Sequence, residues 1–82
     1  MINIDVYFPS INATYDFQVN EEATVSEVVR EIGEMMCKKE KSRLDKKIGE
    51  FFLCEKESEQ ILPENMPLNK CGVENGSFLF MV

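Results

Sequence analysis

Residues 24–36, which read TVSEVVREIGEMM, decide how the rest of this 82-residue chain is interpreted. Thr24 and Glu27 form a capping box, in which the threonine hydroxyl accepts from the glutamate backbone amide and the glutamate reaches back. Apolar residues then recur at the spacing of one helical face. They are Val25, Val28, Val29, Ile32 and Met36. The sequence therefore predicts a helix that starts at Thr24 and buries one side.

Two alternating segments precede this helix, at residues 2 to 8 and 13 to 19. Strict alternation is typical of half-buried strands, and residues 9 to 12 between them supply turn chemistry. We therefore expect an N-terminal hairpin. Its two faces would be Ile2, Ile4, Val6 and Phe8 against Asn3, Asp5 and Tyr7 in the first strand, and Tyr15, Phe17 and Val19 against Thr14, Asp16 and Gln18 in the second.

Three further strands are predicted after the helix, at residues 50 to 54, 60 to 62 and 77 to 82. Pro63 ends the second of these, because proline cannot donate to a strand ladder. Gly72 and the Asn75-Gly76 pair suit turns with positive φ. The predicted order is β-β-α-β-β-β, with no repeat or linker, so we expect an α+β fold in one domain spanning residues 1–82.

This order resembles the β-grasp fold, and the chain resembles ubiquitin in layout. Residues 24–29 are similar to the start of the ubiquitin helix, and residues 62–82 can be laid against the end of ubiquitin without a gap. The resemblance implies a ubiquitin-like domain with one helix packed on a mixed sheet.

A narrower resemblance lies at residues 68–79, LNKCGVENGSFL. This segment is similar to the L-x-x-C-G-[IV]-x-N-G-[DS]-x-L ending of YukD/EsaB-like proteins, which are bacterial ubiquitin-like accessory proteins of the type VII secretion system. The resemblance implies a non-catalytic protein-binding module in the cytoplasm, peripheral to the inner face of the cell membrane, with cytosolic domains of a membrane secretion complex as partners.

Composition argues against several other classes of protein. The chain has no histidine, which removes the usual general base at neutral pH. Cys37, Cys54 and Cys71 form no CxxC pair and are one ligand short of a structural zinc site. We expect them to be reduced and mostly buried, with Cys37 the most exposed. No catalytic residue, cofactor or metal is therefore predicted, and we do not expect an enzyme.

Charge and hydropathy limit the partners. A net charge of −6 repels phosphate backbones, so nucleic acid is not expected as a partner. No apolar run approaches the roughly 18 residues that span a membrane, and residues 1–5 lack the basic end and apolar stretch of a signal peptide, so we expect neither feature. Six of the nine cationic residues lie within residues 38–47. That cluster is interpreted either as a contact for an acidic partner or anionic lipid, or as a solvated helix end that complements the helix dipole.

The candidate binding residues are Phe78, Phe80, Val82 and Phe52. In the last strand Leu79 and Met81 are predicted to point inward, which leaves the two phenylalanines and Val82 on the opposite face. Phe52 joins them if Phe51 and Leu53 face the core. Contiguous aromatic surface favours protein binding. The alternatives are that a loop or a second copy of the chain covers this face, or that the register differs by one residue.

Two other functions remain open. Ubiquitin and the sulfur carriers of the β-grasp class end in a flexible diglycine tail, whereas this sequence ends at Val82 in the last predicted strand. We therefore expect neither conjugation nor sulfur transfer. A sulfur-carrier or modifier-like protein is nevertheless one alternative, and a cytosolic β-grasp domain of a larger membrane transporter is the other.

Overall fold

The computed structural model describes residues 1–39, 51–57 and 59–82. Its elements follow the predicted order up to the third strand. They are β1 at Ile2–Phe8, β2 at Ala13–Val19, α1 at Val25–Lys39, β3 at Leu53–Glu55, a 3₁₀ turn at Leu68–Lys70 and β4 at Phe78–Met81.

The four strands form one mixed sheet in the order β2-β1-β4-β3. β1 is antiparallel to β2 and parallel to β4, and β3 is antiparallel to β4. The first and last strands therefore lie side by side at the centre, and the helix packs against one face. This arrangement confirms the predicted β-grasp fold.

The start of α1 has the predicted capping box. The Thr24 backbone N–H donates to Glu27 Oε1 at 3.1 Å, and the Glu27 backbone N–H donates to Thr24 Oγ1 at 3.3 Å. The Thr24 hydroxyl also donates to the same carboxylate at 2.9 Å. The two hydrogen bonds that Thr24 donates to the carboxylate, from its backbone N–H and its hydroxyl, hold the pKa of Glu27 below its ordinary value, because they favour the ionised form.

The core lies between α1 and the inner face of the sheet. All five apolar residues of the predicted helix stripe are buried, as is Gly33 beside them. The strands contribute the residues that alternation assigned inward. Those at 1% exposure or less are Ile4, Val6, Phe8, Leu53, Leu79 and Met81.

The segment between α1 and β4 differs from the prediction. β3 begins at Leu53, whereas the prediction spans residues 50 to 54, of which Glu50 lies outside the described residues. The predicted strand at residues 60 to 62 is reduced to one bridge between Ile61 and Cys54. Pro63 follows immediately and has no N–H to extend the ladder, which limits this segment to a single bridge.

The glycine predictions for the turn before β4 are confirmed. Gly72 and Gly76 have φ values of +82° and +89°, which side chains with a Cβ rarely adopt. The Gly76 backbone N–H donates to the Asn3 carbonyl at 2.7 Å, and the Asn3 N–H donates to Asn75 Oδ1 at 2.8 Å. This turn therefore ties the start of β4 to β1. In the described ranges, no helix is both long and apolar enough to cross a membrane.

Candidate protein-binding face

β4 presents different residues to its two sides. Leu79 and Met81 are each 1% exposed and lie in the core. Phe78 and Phe80 alternate with them and are only half-buried, on the side of the sheet away from α1. The register predicted for the last strand is therefore the observed one, and we call the side without the helix the open face.

Phe52 and Val82 extend the aromatic surface beyond the ends of β3 and β4. The Phe52 N–H donates to the Val82 carbonyl at 2.6 Å, and the Val82 N–H donates back to the Phe52 carbonyl at 2.9 Å. Paired residues of a ladder share a face, so both side chains accompany Phe80. Their exposures are 42% and 39%, while Phe51 and Leu53 are buried. The condition set for including Phe52 is met.

Tyr7 completes this surface, although the alternation of β1 alone groups it with polar residues. It lies opposite Phe80 in the parallel β1–β4 register. The two rings meet edge to face with centroids 5.8 Å apart, and Phe80 meets Phe78 in the same way at 6.3 Å. The Tyr7 hydroxyl donates to Asn12 Oδ1 at 2.7 Å. We call Tyr7, Phe52, Phe78, Phe80 and Val82 together the aromatic patch.

Two carboxylates border the patch. Asp5 lies directly opposite Asp16 in the antiparallel β1–β2 register, and on its other side it lies opposite Phe78. A hydrogen bond with Asp16, desolvation and repulsion by the second charge together raise the pKa of Asp5 above its ordinary value. The open face is thus acidic along β1 and β2 and aromatic along β4.

The far side of the patch carries a cation. The Lys56 ammonium group lies 4.5 Å from the centroid of the Phe78 ring, in the range of a cation–π interaction. One transverse row of the sheet therefore runs from Asp16 through Asp5 and Phe78 to Lys56.

Burial works against activation of two of the three cysteines, Cys54 and Cys71. Cys54 lies opposite Phe80, is buried, and shares no disulfide. Burial raises the pKa of the Cys54 thiol and of the Cys71 thiol, which disfavours the nucleophilic thiolate. Cys37 and Cys71 are half-buried. Among the described residues, no group of three or more His, Cys, Asp or Glu side chains is arranged to hold a metal ion.

Most of the basic cluster at residues 38–47 lies outside the described residues. Lys38 and Lys39 are described and occupy the last turn of α1, where positive charge complements the helix dipole. The Lys39 ammonium group lies 4.5 Å from the centroid of the Tyr15 ring.

Sequence reasoning missed Tyr7, Lys56 and the Asp5–Asp16 pair as parts of the open face. Whether each of these residues belongs to the open face depends on which strands are neighbours in the sheet. The outward position of Tyr7 was available from alternation, and pairing of the first strand with the last would have brought it to Phe80. The Asp5–Asp16 pair required the hairpin register.

Comparison with known proteins rests on structure, since no protein-family model and no curated protein sequence matches the chain. The EccD5 ubiquitin-like domain from Mycobacterium xenopi is similar with a TM-score of 0.81 at 15% identity, covering 99% of this chain and 91% of that one. The ubiquitin-like domain of Plasmodium falciparum Dsk2 is similar with a TM-score of 0.76 at 17% identity, covering 99% and 95%.

A chain of the toluene 4-monooxygenase HD complex with the inhibitor 4-bromobenzoate is also similar. Its TM-score is 0.80 at 12% identity, covering 99% of this chain and 95% of that one. At such identities the likeness concerns the backbone arrangement. The chain therefore has the ubiquitin-like β-grasp fold.

Proposed function

We propose that this chain is a non-catalytic, unconjugated ubiquitin-like module that captures a protein partner on the aromatic patch, and that it assists type VII secretion from the cytoplasmic side of the membrane. The observation that carries the proposal is the partly exposed aromatic patch, whose rings lie on the side of the sheet away from α1 and outside the core. Aromatic residues are enriched among those that dominate binding energy at protein interfaces.

The secretion context has two supports of different kinds. One is the resemblance of residues 68–79 to the ending of YukD/EsaB-like proteins, and the other is the EccD5 domain as a structural neighbour. Both ubiquitin-like neighbours named above are described as domains. A partner in a membrane-associated machine would place this module at the inner face of the membrane without a span of its own.

Absence of catalysis is proposed from the side chains themselves. The full sequence has no histidine, and the described Cys54 and Cys71 thiols have raised pKa values. The similarity to a chain of a monooxygenase complex fits this proposal, because at 12% identity it concerns the fold and carries over no catalytic residue.

Affinity capture from the source organism tests the proposal. The tag belongs at the N-terminus, because Val82 is part of the patch. Wild type is expected to capture a component of a secretion complex, and Phe80→Arg is expected to lose it, since a guanidinium among the rings of Tyr7 and Phe78 blocks apolar docking. Partners are identified by mass spectrometry.

Met35→Arg is the matched control, because it introduces the same charge at an exposed apolar position of α1. Phe52→Arg provides a second patch variant at a more exposed ring. Circular dichroism must show that all variants are folded. Equal capture by wild type and both patch variants would remove the aromatic patch from the proposal, and detection of a C-terminal thiocarboxylate or adenylate would replace it with the sulfur-carrier alternative.

A second candidate is a cytosolic ubiquitin-like domain of a larger membrane transporter. The descriptions of the EccD5 and Dsk2 neighbours as domains support only its first part, a place within a larger protein. The sequence of the parent gene and of its neighbours distinguishes the accessory protein from the transporter domain. Hydrophobic spans encoded after Val82 would favour this second candidate, whereas an adjacent secretion ATPase gene with small helical substrates would favour the accessory protein.

A further inference from the structure

The open face combines an apolar surface with an unneutralised pair of charges. Asp5 and Asp16 lie directly opposite each other on the adjacent strands β1 and β2, and like charges in such a pair destabilise the sheet. Over the described ranges, no lysine or arginine lies within ion-pair distance of either carboxylate, and the one ion pair found there joins the N-terminal amino group to Glu21 at 3.2 Å. These two charges are therefore open to a cation from outside the described residues.

One ring beside them already has a cation over its face, because the Lys56 ammonium group lies 4.5 Å from the centroid of the Phe78 ring. The Phe78 ring thus has the Lys56 ammonium group on one side and Asp5 on the other. Carboxylate and aromatic face together are a favourable environment for a lysine or arginine side chain.

The overall charge acts in the same direction. The full sequence contains nine lysines and arginines against fifteen aspartates and glutamates, a net charge of −6. A cationic partner would be attracted from a distance, and the attraction would weaken with salt.

We infer that the aromatic patch recognises a cationic, apolar peptide segment, whose lysine or arginine lies at the boundary between Asp5–Asp16 and the rings of Tyr7 and Phe78. This inference rests on the proposed function, because it names the chemistry of the partner that the patch captures. The apolar side chains of the segment cover Phe80, Phe52 and Val82. Its cation neutralises a carboxylate pair that no lysine or arginine of residues 1–39, 51–57 and 59–82 neutralises.

Selection of peptides tests this chemistry without knowledge of the natural partner. A phage-displayed library of random 12-residue peptides is selected on the wild-type domain and, in parallel, on Phe80→Arg. Wild type is expected to enrich peptides that carry lysine or arginine beside two or more large apolar residues. Affinities of the selected synthetic peptides are then measured with the Asp5→Asn/Asp16→Asn variant, which is expected to bind about three- to fivefold more weakly because the ion pair with the peptide cation is lost while the rings remain.

Glu31→Gln/Glu34→Gln is the matched control. It removes the same two charges from exposed positions on α1, so its peptide affinity should equal that of wild type. If Phe80→Arg abolishes binding while the double asparagine variant binds normally, or if selected peptides lack cations, the cationic partner is overturned and the patch is retained. If Phe80→Arg and wild type select and bind the same peptides, or if wild type enriches none, the patch fails together with the inference.

A second copy of the chain is the competing occupant. Sedimentation velocity of wild type and Phe80→Arg distinguishes it. A monomer in both cases supports a peptide partner. A wild-type dimer that Phe80→Arg converts to monomer would show that the patch is covered by another copy and would overturn the inference.

Discussion

The two faces of the sheet are built from the same strands but differ in composition and in burial. Leu79 and Met81 of β4 are 1% exposed beneath α1, whereas Phe78 and Phe80 between them remain half-buried on the open face. The inner face contains only apolar side chains at its centre. The open face has the Asp5 and Asp16 carboxylates on β1 and β2, and the rings of Tyr7 on β1 and of Phe78 and Phe80 on β4.

The difference in burial between the two faces indicates which side chains the fold requires. Removal of apolar surface from water stabilises the inner face whichever partner the domain meets. Partly exposed rings beside charges contribute less to the free energy of folding. Binding of a partner therefore explains their presence better than folding does. Stability should therefore depend chiefly on the inner face and binding chiefly on the open face.

The largest expected effect compares neighbouring residues of β4. Leu79→Ala should lower the free energy of unfolding by about 3 kcal/mol, because it removes a fully buried side chain and leaves a cavity. Phe80→Ala should lower it by about 1 kcal/mol, mainly through lost edge-to-face contacts with Tyr7 and Phe78. Urea denaturation followed by circular dichroism measures both. Equal losses, or a larger loss for Phe80→Ala, would mean that the open face is structural.

A smaller effect is expected at the start of the helix that covers the inner face. Thr24→Ala should lower the free energy of unfolding by about 1 kcal/mol, because the Glu27 backbone amide loses its side-chain acceptor. Thr24→Ser keeps the hydroxyl and is the matched control, with a stability close to that of wild type. A loss of the same size in Thr24→Ser would assign the effect to the threonine methyl group instead of the cap.

The inner face was predictable from sequence because its information is local. Alternation in β1 identifies Ile4, Val6 and Phe8, and the capping box locates the start of α1 to within one residue. The same alternation correctly separates Leu79 from Phe80. Each of these patterns is contained in one segment, so no knowledge of neighbouring strands is needed.

The composition of the open face was only half predictable, since it depends on pairing between distant segments. Tyr7 meets Phe80 only because the first and last strands are parallel neighbours. The segment at residues 60 to 62 has the sequence of a short strand, but one bridge to Cys54 is all that forms before Pro63. Patterns within one segment do not predict which distant segment it pairs with.

The smallest expected effect has a distinctive dependence on pH and concerns the Asp5–Asp16 pair. Phe78 of β4 lies opposite Asp5 on the side away from Asp16. The Lys56 ammonium group lies over the Phe78 ring, so Lys56 is the charged residue beyond Phe78 in this row of the sheet. The folded-state pKa of Asp5 is raised, so the pair contributes stability when Asp5 is protonated, fully below the unfolded pKa, and loses that contribution as pH rises through the folded pKa. At neutral pH the two carboxylates repel each other.

Asp16→Asn should therefore raise the melting temperature at pH 7 by a small amount, and the gain should vanish or reverse at about pH 3.5, where the raised pKa of Asp5 favours its protonated form, which can donate a hydrogen bond to Asp16. Thermal unfolding at the two pH values measures the difference. Glu31→Gln removes one exposed carboxylate from α1 and should show no such gain at pH 7. A change in melting temperature that is the same at both pH values would mean that Asp16 acts through strand propensity, and a lower value at pH 7 would mean that the carboxylate pair stabilises the free sheet.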